Sequence, residues 1–234
     1  DDPERQKRQL QSFIQHGRGG LLWVPAADTS QETFDMLAAQ AIPVVTFLRH
    51  VRHDLDHVGI RNTDATAIAT RYLVDLGHRH IAYLGGADES MVRKERIAGY
   101  QRVISESKLG DGLVWSCEDN KLAGMNAMVA LQKALPDVTA VVCNGDMVAL
   151  GACLALIRAG QRPGVDVSVM GFDDIQDAVV ATPALSTMAV SPHKLGRKLA
   201  RTLLDRISDP EMPPIVSEIS AELIIRETTG APPS

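Results

Sequence analysis

The sequence is short of positive charge. Twenty-four Lys and Arg stand against 29 Asp and Glu among 234 residues, giving a net charge of -5 and a pI near 5.8. Phosphate contact needs clustered Lys and Arg, so the chain is not a basic nucleic-acid surface, and any role on DNA would come from residues outside it. No apolar run approaches membrane-spanning length, and the opening Asp1-Asp2-Pro3-Glu4-Arg5 is not a signal peptide; no membrane is expected as a partner. The three cysteines (Cys117, Cys143 and Cys153) are an odd number without a CxxC pair. Cys143 and Cys153 lie in apolar stretches and read as small core residues, which points to a reducing, cytoplasmic setting. Low-complexity linkers and repeats of solenoid period are also missing.

What remains is a strict alternation of short apolar runs with helical patterns. Strands are expected at 21–24, 43–48, 57–60, 80–84, 113–116, 139–143, 167–172 and 221–226. Helices are expected at 4–16, 31–40, 63–76, 91–107, 121–135, 146–159, 174–180 and 191–208. Runs such as Ala140-Val141-Val142-Cys143 are apolar at every position, as in a parallel sheet covered on both faces. The alternation predicts a doubly wound α/β architecture. Thr63 or Asp64 is expected to cap the 63–76 helix. Asp146 is expected to cap a helix that buries Met147, Leu150, Leu154 and Ile157 and stops at Gly160. The chain opens in a helical pattern where such domains ordinarily open in a buried strand, so part of the domain is expected to precede it.

In open α/β sheets, ligands bind beyond the carboxyl ends of the strands. Polar residues gather there: Gly85-Gly86-Ala87-Asp88-Glu89-Ser90 with Arg96 in the next helix, Asn144-Gly145-Asp146, and Asp173-Asp174. Arg and carboxylate each grip two adjacent hydroxyls, which a sugar presents. The plainer assignment makes Asp146 and Asp174 helix N-caps and Arg96 a solvated side chain.

The same residues carry a resemblance to LacI/GalR-family transcription regulators. Leu76-Gly77-His78-Arg79-His80-Ile81-Ala82-Tyr83-Leu84-Gly85-Gly86 is similar to their LGHRxIAxxGG stretch, and Arg96-Ile97-Ala98-Gly99-Tyr100 to their R-x-x-G-aromatic helix. Thr139 to Ala152 resembles the segment that carries the family's Asn-Asp pair. Asp166 to Asp174 resembles DVSVVGFDD, Thr182 to Thr187 resembles TPPLTT, and Arg226-Glu227-Thr228-Thr229 resembles RxST. Six motifs in order cover nearly the whole chain. The segments around 34–37, 43–50 and 93–96 are similar to the maltose-regulon repressor branch.

The resemblance implies a periplasmic-binding-protein-like (type I) fold of two doubly wound parallel-sheet lobes, crossed three times at a hinge. Residues 1–60 and 190–219 would form an incomplete N-lobe, and 61–189 with 220–234 the C-lobe. A helix-turn-helix domain that binds operator DNA would precede them, so that roughly 100 residues are absent. Homodimerisation is expected, with contact faces near Thr182-Pro183 and 121–128. A small-molecule effector, sugar-like in chemistry, would close the lobes and reset the spacing of the DNA-reading helices.

Carried over residue by residue, the resemblance places Arg96 and Asp173 at effector-gripping positions and Ser90 on the pocket-lining loop. Asp119 stands where an aromatic often stacks on the sugar. The family's Asn falls on Gly145, with Asn144 one place earlier, where strand alternation sends a side chain to the other face. The Asp of the PVVxxDR stretch is Leu48 here. With aromatics at 4%, little is left for a stacking platform. No catalytic set, cofactor or metal is expected. His53 and His57 have i, i+4 spacing, but Val58-Gly59-Ile60 reads as strand, and His16-Gly17-Arg18-Gly19-Gly20 lacks the Lys-Ser/Thr of a phosphate loop. The competing function is a transport-type periplasmic sugar-binding protein of the same fold; an α/β enzyme would need a catalytic constellation.

Overall fold

The computed structural model describes residues 2–16, 19–26, 28–86 and 91–233. The chain divides into two compact units, Asp1–Ile60 with Ser191–Ile219, and Arg61–Val190 with Ser220–Ser234.

In chain order the first unit supplies α1 (Pro3–Gln15), β1 (Leu21–Trp23), α2 (Gln31–Ala39), β2 (Val44–Phe47) and β3 (Asp56–Ile60). The second unit follows with α3 (Asn62–Asp75), β4 (Ile81–Leu84), α4 (Met91–Glu106), β5 (Leu113–Trp115) and α5 (Lys121–Ala134). It continues through β6 (Ala140–Cys143), α6 (Asp146–Arg158), β7 (Ser168–Asp173), α7 (Gln176–Val180) and β8 (Ser186–Ala189). The chain then returns to the first unit for α8 (Pro192–Ser208) and β9 (Val216–Ile219), and ends in the second with β10 (Glu222–Ile224).

The first unit's sheet runs β1-β2-β3-β9, all parallel. Leu195, Leu199 and Leu203 of α8 pack against Val45, Phe47 and Val58. Leu10 of α1 and Phe34 and Leu37 of α2 pack with Trp23 and Val44. The second unit's sheet runs β10-β8-β7-β6-β4-β5, parallel except for β10, which is antiparallel to β8.

Several local expectations need correction. Neither Thr63 nor Asp64 caps α3; Arg61 takes the cap position, and no side chain makes the capping bond. Asp146 is the first residue of α6, behind a Gly145 cap, and its carboxylate turns away from the helix. Asp174 does not cap α7, whose cap is Ile175. Of the four apolar residues assigned to the buried face of α6, only Leu150 is buried, while Met147, Leu154 and Ile157 are exposed. The small residues Ala149, Ala152 and Ala155 face inward instead, because α5 and the sheet approach closely.

Two motif residues have plain packing reasons. At Gly99, where α4 crosses α3, a Cβ would stand 2.1 Å from the Thr63 carbonyl oxygen. His78 is buried, with Nδ1 bonded to the Thr139 hydroxyl at 2.9 Å and Nε2 within 2.9 Å of the Gly230 carbonyl. It ties the end of α3, the start of β6 and the C-terminal tail together.

His57 in β3 is buried against Thr46, with Nδ1 at 2.9 Å from the hydroxyl, and His50 stacks on it at 4.7 Å. Burial, and secondarily His50, pushes the His57 imidazole down to about 4. The folded chain thus refuses a proton that the unfolded chain accepts below pH ~6.5. That stability is fully present above the ordinary value and is lost as pH falls from about 6.5 to 4, on the order of 3 kcal/mol. Calorimetry across this window should show the first unit losing stability, and His57→Asn should flatten the slope; an unchanged slope would assign the loss to other groups. Among the described residues, no helix is long and apolar enough to cross a membrane.

Candidate functional site

In the second unit's sheet, β4 lies between β5 and β6, so the chain steps to one side from β4 to β5 and then back past β4 to β6. The carboxyl ends of β4 and β6 therefore flank the crevice where an open α/β sheet binds ligands. Gly85-Gly86 emerge from β4 and Asn144-Gly145 from β6, next to Ser116 after β5 and Asp173 at the end of β7. Gly86 has φ +76, and a Cβ there would meet the Arg93 side chain at 2.4 Å. Only glycine can hold this bend, which sends its N–H to Asp119 Oδ1 at 3.2 Å.

Arg96 is the centre of the arrangement. It projects from α4 and is only 6% exposed. Its Nε–H donates to Asn62 Oδ1 at 3.0 Å, Nη1 donates to the Asn144 carbonyl, and Nη2 reaches Asp173 Oδ1 at 3.5 Å. The guanidinium lies 3.5 Å from the centre of the Phe172 ring, a cation–π contact in a desolvated place. Asn62 in turn donates to Glu95 at 2.8 Å. One turn before Arg96, the buried Arg93 donates to the Gly85 carbonyl at 3.2 Å and the Ser116 hydroxyl at 2.6 Å.

Asn144 links the next layer. Its amide NH2 donates to both oxygens of Asp119, each at 2.9 Å, and its Oδ1 accepts from the Tyr83 hydroxyl at 2.7 Å. Tyr83 is fully buried, and burial pushes its phenol up, so it remains a donor. Asn144 directly follows β6, and its side chain is turned onto Asp119, within the same network as Arg96. Gly145 has extended backbone and no side chain, and a Cβ there would lie at ordinary contact distance, 3.4 Å, from Asp173 Oδ2.

Asp173 and Asp174 have φ of +109 and +59, a conformation that non-glycine residues seldom adopt. The Asp173 side chain keeps 47% of its surface open while its inner side is packed. Burial raises its carboxyl above the ordinary value, and Arg96 opposes that rise. Asp174 instead contacts Arg226 at 2.7 Å, as a charge pair without hydrogen-bond directionality. Asp146, 1% exposed, accepts from the Thr187 hydroxyl at 2.6 Å and from the Ile175 N–H at 2.9 Å, and burial pushes it up to about 6.

Of the expected residues, Arg96, Asp119, Asn144, Gly145 and Asp173 come together. Ser90 lies outside the described residues. Leu48 belongs to the first unit, just beyond β2, with φ +62 and 42% exposure. Asn62, Tyr83, Arg93, Ser116 and Phe172 were not singled out from sequence. The spacing of Arg93 and Arg96 on one helix face is a signal for the former, and Asn62 carries none. The groups gathered here, two carboxylates, a guanidinium and amides held by one another, are fixed donors and acceptors of hydrogen bonds. The thiol of Cys117, two residues before Asp119, is pushed up to about 11 by burial, the opposite of an activated nucleophile. Among the described residues, no group of His, Cys, Asp and Glu could hold a metal ion.

Comparison with known proteins agrees with this geometry. The family model described as a periplasmic binding protein-like domain matches residues 70–229. The chain is 32% identical over 232 residues to the HTH-type transcriptional repressor PurR of Vibrio campbellii (strain ATCC BAA-1116), covering 96% of this chain and 68% of the relative. Among solved structures, it is similar to the transcriptional regulator CelR in complex with cellobiose, with TM-score 0.85 and 28% identity, covering 95% of this chain and 69% of that one. A LacI family transcriptional regulator from Mycobacterium smegmatis gives TM-score 0.83 and 28% identity, covering 100% and 87%.

Proposed function

The chain belongs to the LacI/GalR family of transcription regulators, as an effector-binding domain, and from that premise we propose that it senses a sugar or sugar derivative and does not transform it. The observation that carries the reading is the buried Arg96, bonded to Asn62 and the Asn144 carbonyl and facing the half-open carboxylate of Asp173, with Asp119 held by Asn144 beside them. Guanidinium and carboxylate each span two neighbouring hydroxyls, and each is pre-set by other side chains, so little order is lost on binding. The complex of CelR with cellobiose supports a sugar; purines are the arm to test against it. A transport-type role is not favoured, because these relatives are regulators.

The test is a thermal-shift panel of mono- and disaccharides, including maltose and cellobiose, their phosphates, and purines. A compound at 100 times its dissociation constant should add about 2.7 kcal/mol. A sugar that stabilises the chain supports the reading; a purine alone would replace it. Operator DNA, on this reading, is contacted in the cytoplasm by residues outside this acidic chain.

A homodimer is part of the same reading. The exposed Leu154 and Ile157 of α6 and Val180 of α7 line one groove with Pro183. Apolar side chains gathered this way on a surface mark an interaction face. Light scattering should give a dimer, and Leu154→Asp with Val180→Asp should give a monomer. A parent chain that is monomeric at high concentration would remove this part of the proposal.

A further inference from the structure

The turn that presents Asp173 leaves β7 at its last residue, which is in register with Ala189 of β8, and beyond the sheet this costly backbone is held by two side-chain anchors, Arg226 and Asp146. Asp173 and Asp174 follow one another at φ +109 and +59, and such strain persists only where the surroundings over-determine it. One anchor is Arg226, far along the chain. It pairs with Asp174 at 2.7 Å, while its Nη1 donates to the Leu185 carbonyl at 2.8 Å and its backbone N–H to the Ser186 hydroxyl at 2.8 Å. The other is Asp146, which holds the Ile175 N–H at 2.9 Å and the Thr187 hydroxyl at 2.6 Å. The turn is therefore gripped at Asp174 and at Ile175, and both grips end at Leu185-Ser186-Thr187, where β8 begins. By contrast, the contact of Asp173 with Arg96 is long, at 3.5 Å. It is too weak to hold the turn by itself.

We propose that Arg226 and Asp146 are positioning residues of the effector site: through Asp174 and Ile175 they hold the strained turn so that the Asp173 carboxylate stands beside Arg96. The inference rests on the reading of Asp173 as an effector contact. Both grips are side chain to turn, so relaxing either lets Asp173 swing away from Arg96 and into water.

The experiment uses Arg226→Gln, Asp174→Asn and their double variant. Asn tolerates positive φ, so Asp174→Asn removes the charge pair while leaving the turn accessible if Arg226→Gln fails to fold. The first readout is the titration of the Asp173 carboxyl by 13C NMR, assigned with Asp173→Asn. In the parent chain it is raised by burial; in each variant it should fall back toward the ordinary aspartate value. The second is calorimetric binding of cellobiose, D-glucose and D-ribose. Any sugar that the parent binds should lose about tenfold in affinity in each single variant, and the double should be no worse than Arg226→Gln alone, because that variant already breaks the pair. An unchanged Asp173 titration and unchanged affinity in cooperatively folded variants would overturn the proposal. If the parent binds none of these sugars, the sugar reading fails, and the Asp173 titration still decides whether the turn is held as described.

Discussion

Arg96→Ala is expected to abolish the response to every compound that stabilises the parent chain, and also to cost the second unit about 3 kcal/mol. The second loss follows from burial. Without the guanidinium, Asn62 Oδ1 and the Asn144 carbonyl lose their donor in a place closed to solvent, and Phe172 loses the cation on its face. For a protein of this size that is a fall in unfolding temperature of roughly 6–12 °C. Arg96→Lys separates the two effects. An ammonium keeps the charge but lacks the planar fork that reaches Asn62, Asn144 and Asp173 at once. Part of the stability should return, and binding should stay at least about tenfold weaker. If Arg96→Ala lowers stability yet binds as the parent does, Arg96 is a strut of the fold and the effector site lies elsewhere.

Most of the fold was legible because hydrophobic period and turn residues speak locally. The runs read at 139–143 and 167–172 became Ala140–Cys143 and Ser168–Asp173, and the helix read at 191–208 became Pro192–Ser208. Two strands were not foreseen, for opposite reasons. In β8, Ser186 and Thr187 are fully buried polar residues, satisfied by Thr229, Arg226 and Asp146 from far along the chain. A scan for apolar runs passes over such a strand. In β9, Val216-Ser217-Glu218-Ile219 is a short edge strand with Val216 52% exposed, too brief and too open to stand out from a loop.

The site followed the same division. Reading the polar residues beyond each strand and into the next helix picked out Arg96, Asn144 and Asp173, which lie together in the structure because a parallel sheet delivers its carboxyl ends to one edge. Local capping rules misassigned Asp146 and Asp174, since both residues stand where caps occur. Their real partners, Thr187 and Arg226, are decided by tertiary packing that no short window contains. The inward stripe on α6 failed likewise: the period gives a face but not which face, and the small residues on the opposite side let the neighbouring helix come close.

Long-range polar packing also sets the second large expectation, in the first unit, where Arg206→Ala should cost about 3–5 kcal/mol. Asp56, 3% exposed, opens β3 and receives Nε and Nη2 of Arg206, each at 2.9 Å. The Ile215 N–H donates to the same carboxylate at 2.7 Å. The guanidinium also donates to the carbonyls of Pro210, Met212 and Pro213. Proline has no N–H, so the segment from Pro210 to Pro214 makes few backbone bonds of its own, and Arg206 supplies its donors. Removing Arg206 leaves Asp56 buried with one N–H for a partner and frees the segment that aligns β9 beside β3. The first unit's thermal transition should fall accordingly, and amide exchange should accelerate first at 215–219. Asp56→Leu with Arg206→Met should be far less damaging than Arg206→Ala, because replacing both charges leaves none stranded. If Arg206→Ala stays within about 1 kcal/mol of the parent, as an exposed pair would, then the Pro-rich segment is held by its packing against β3 and α2, and the ion pair is incidental to the fold.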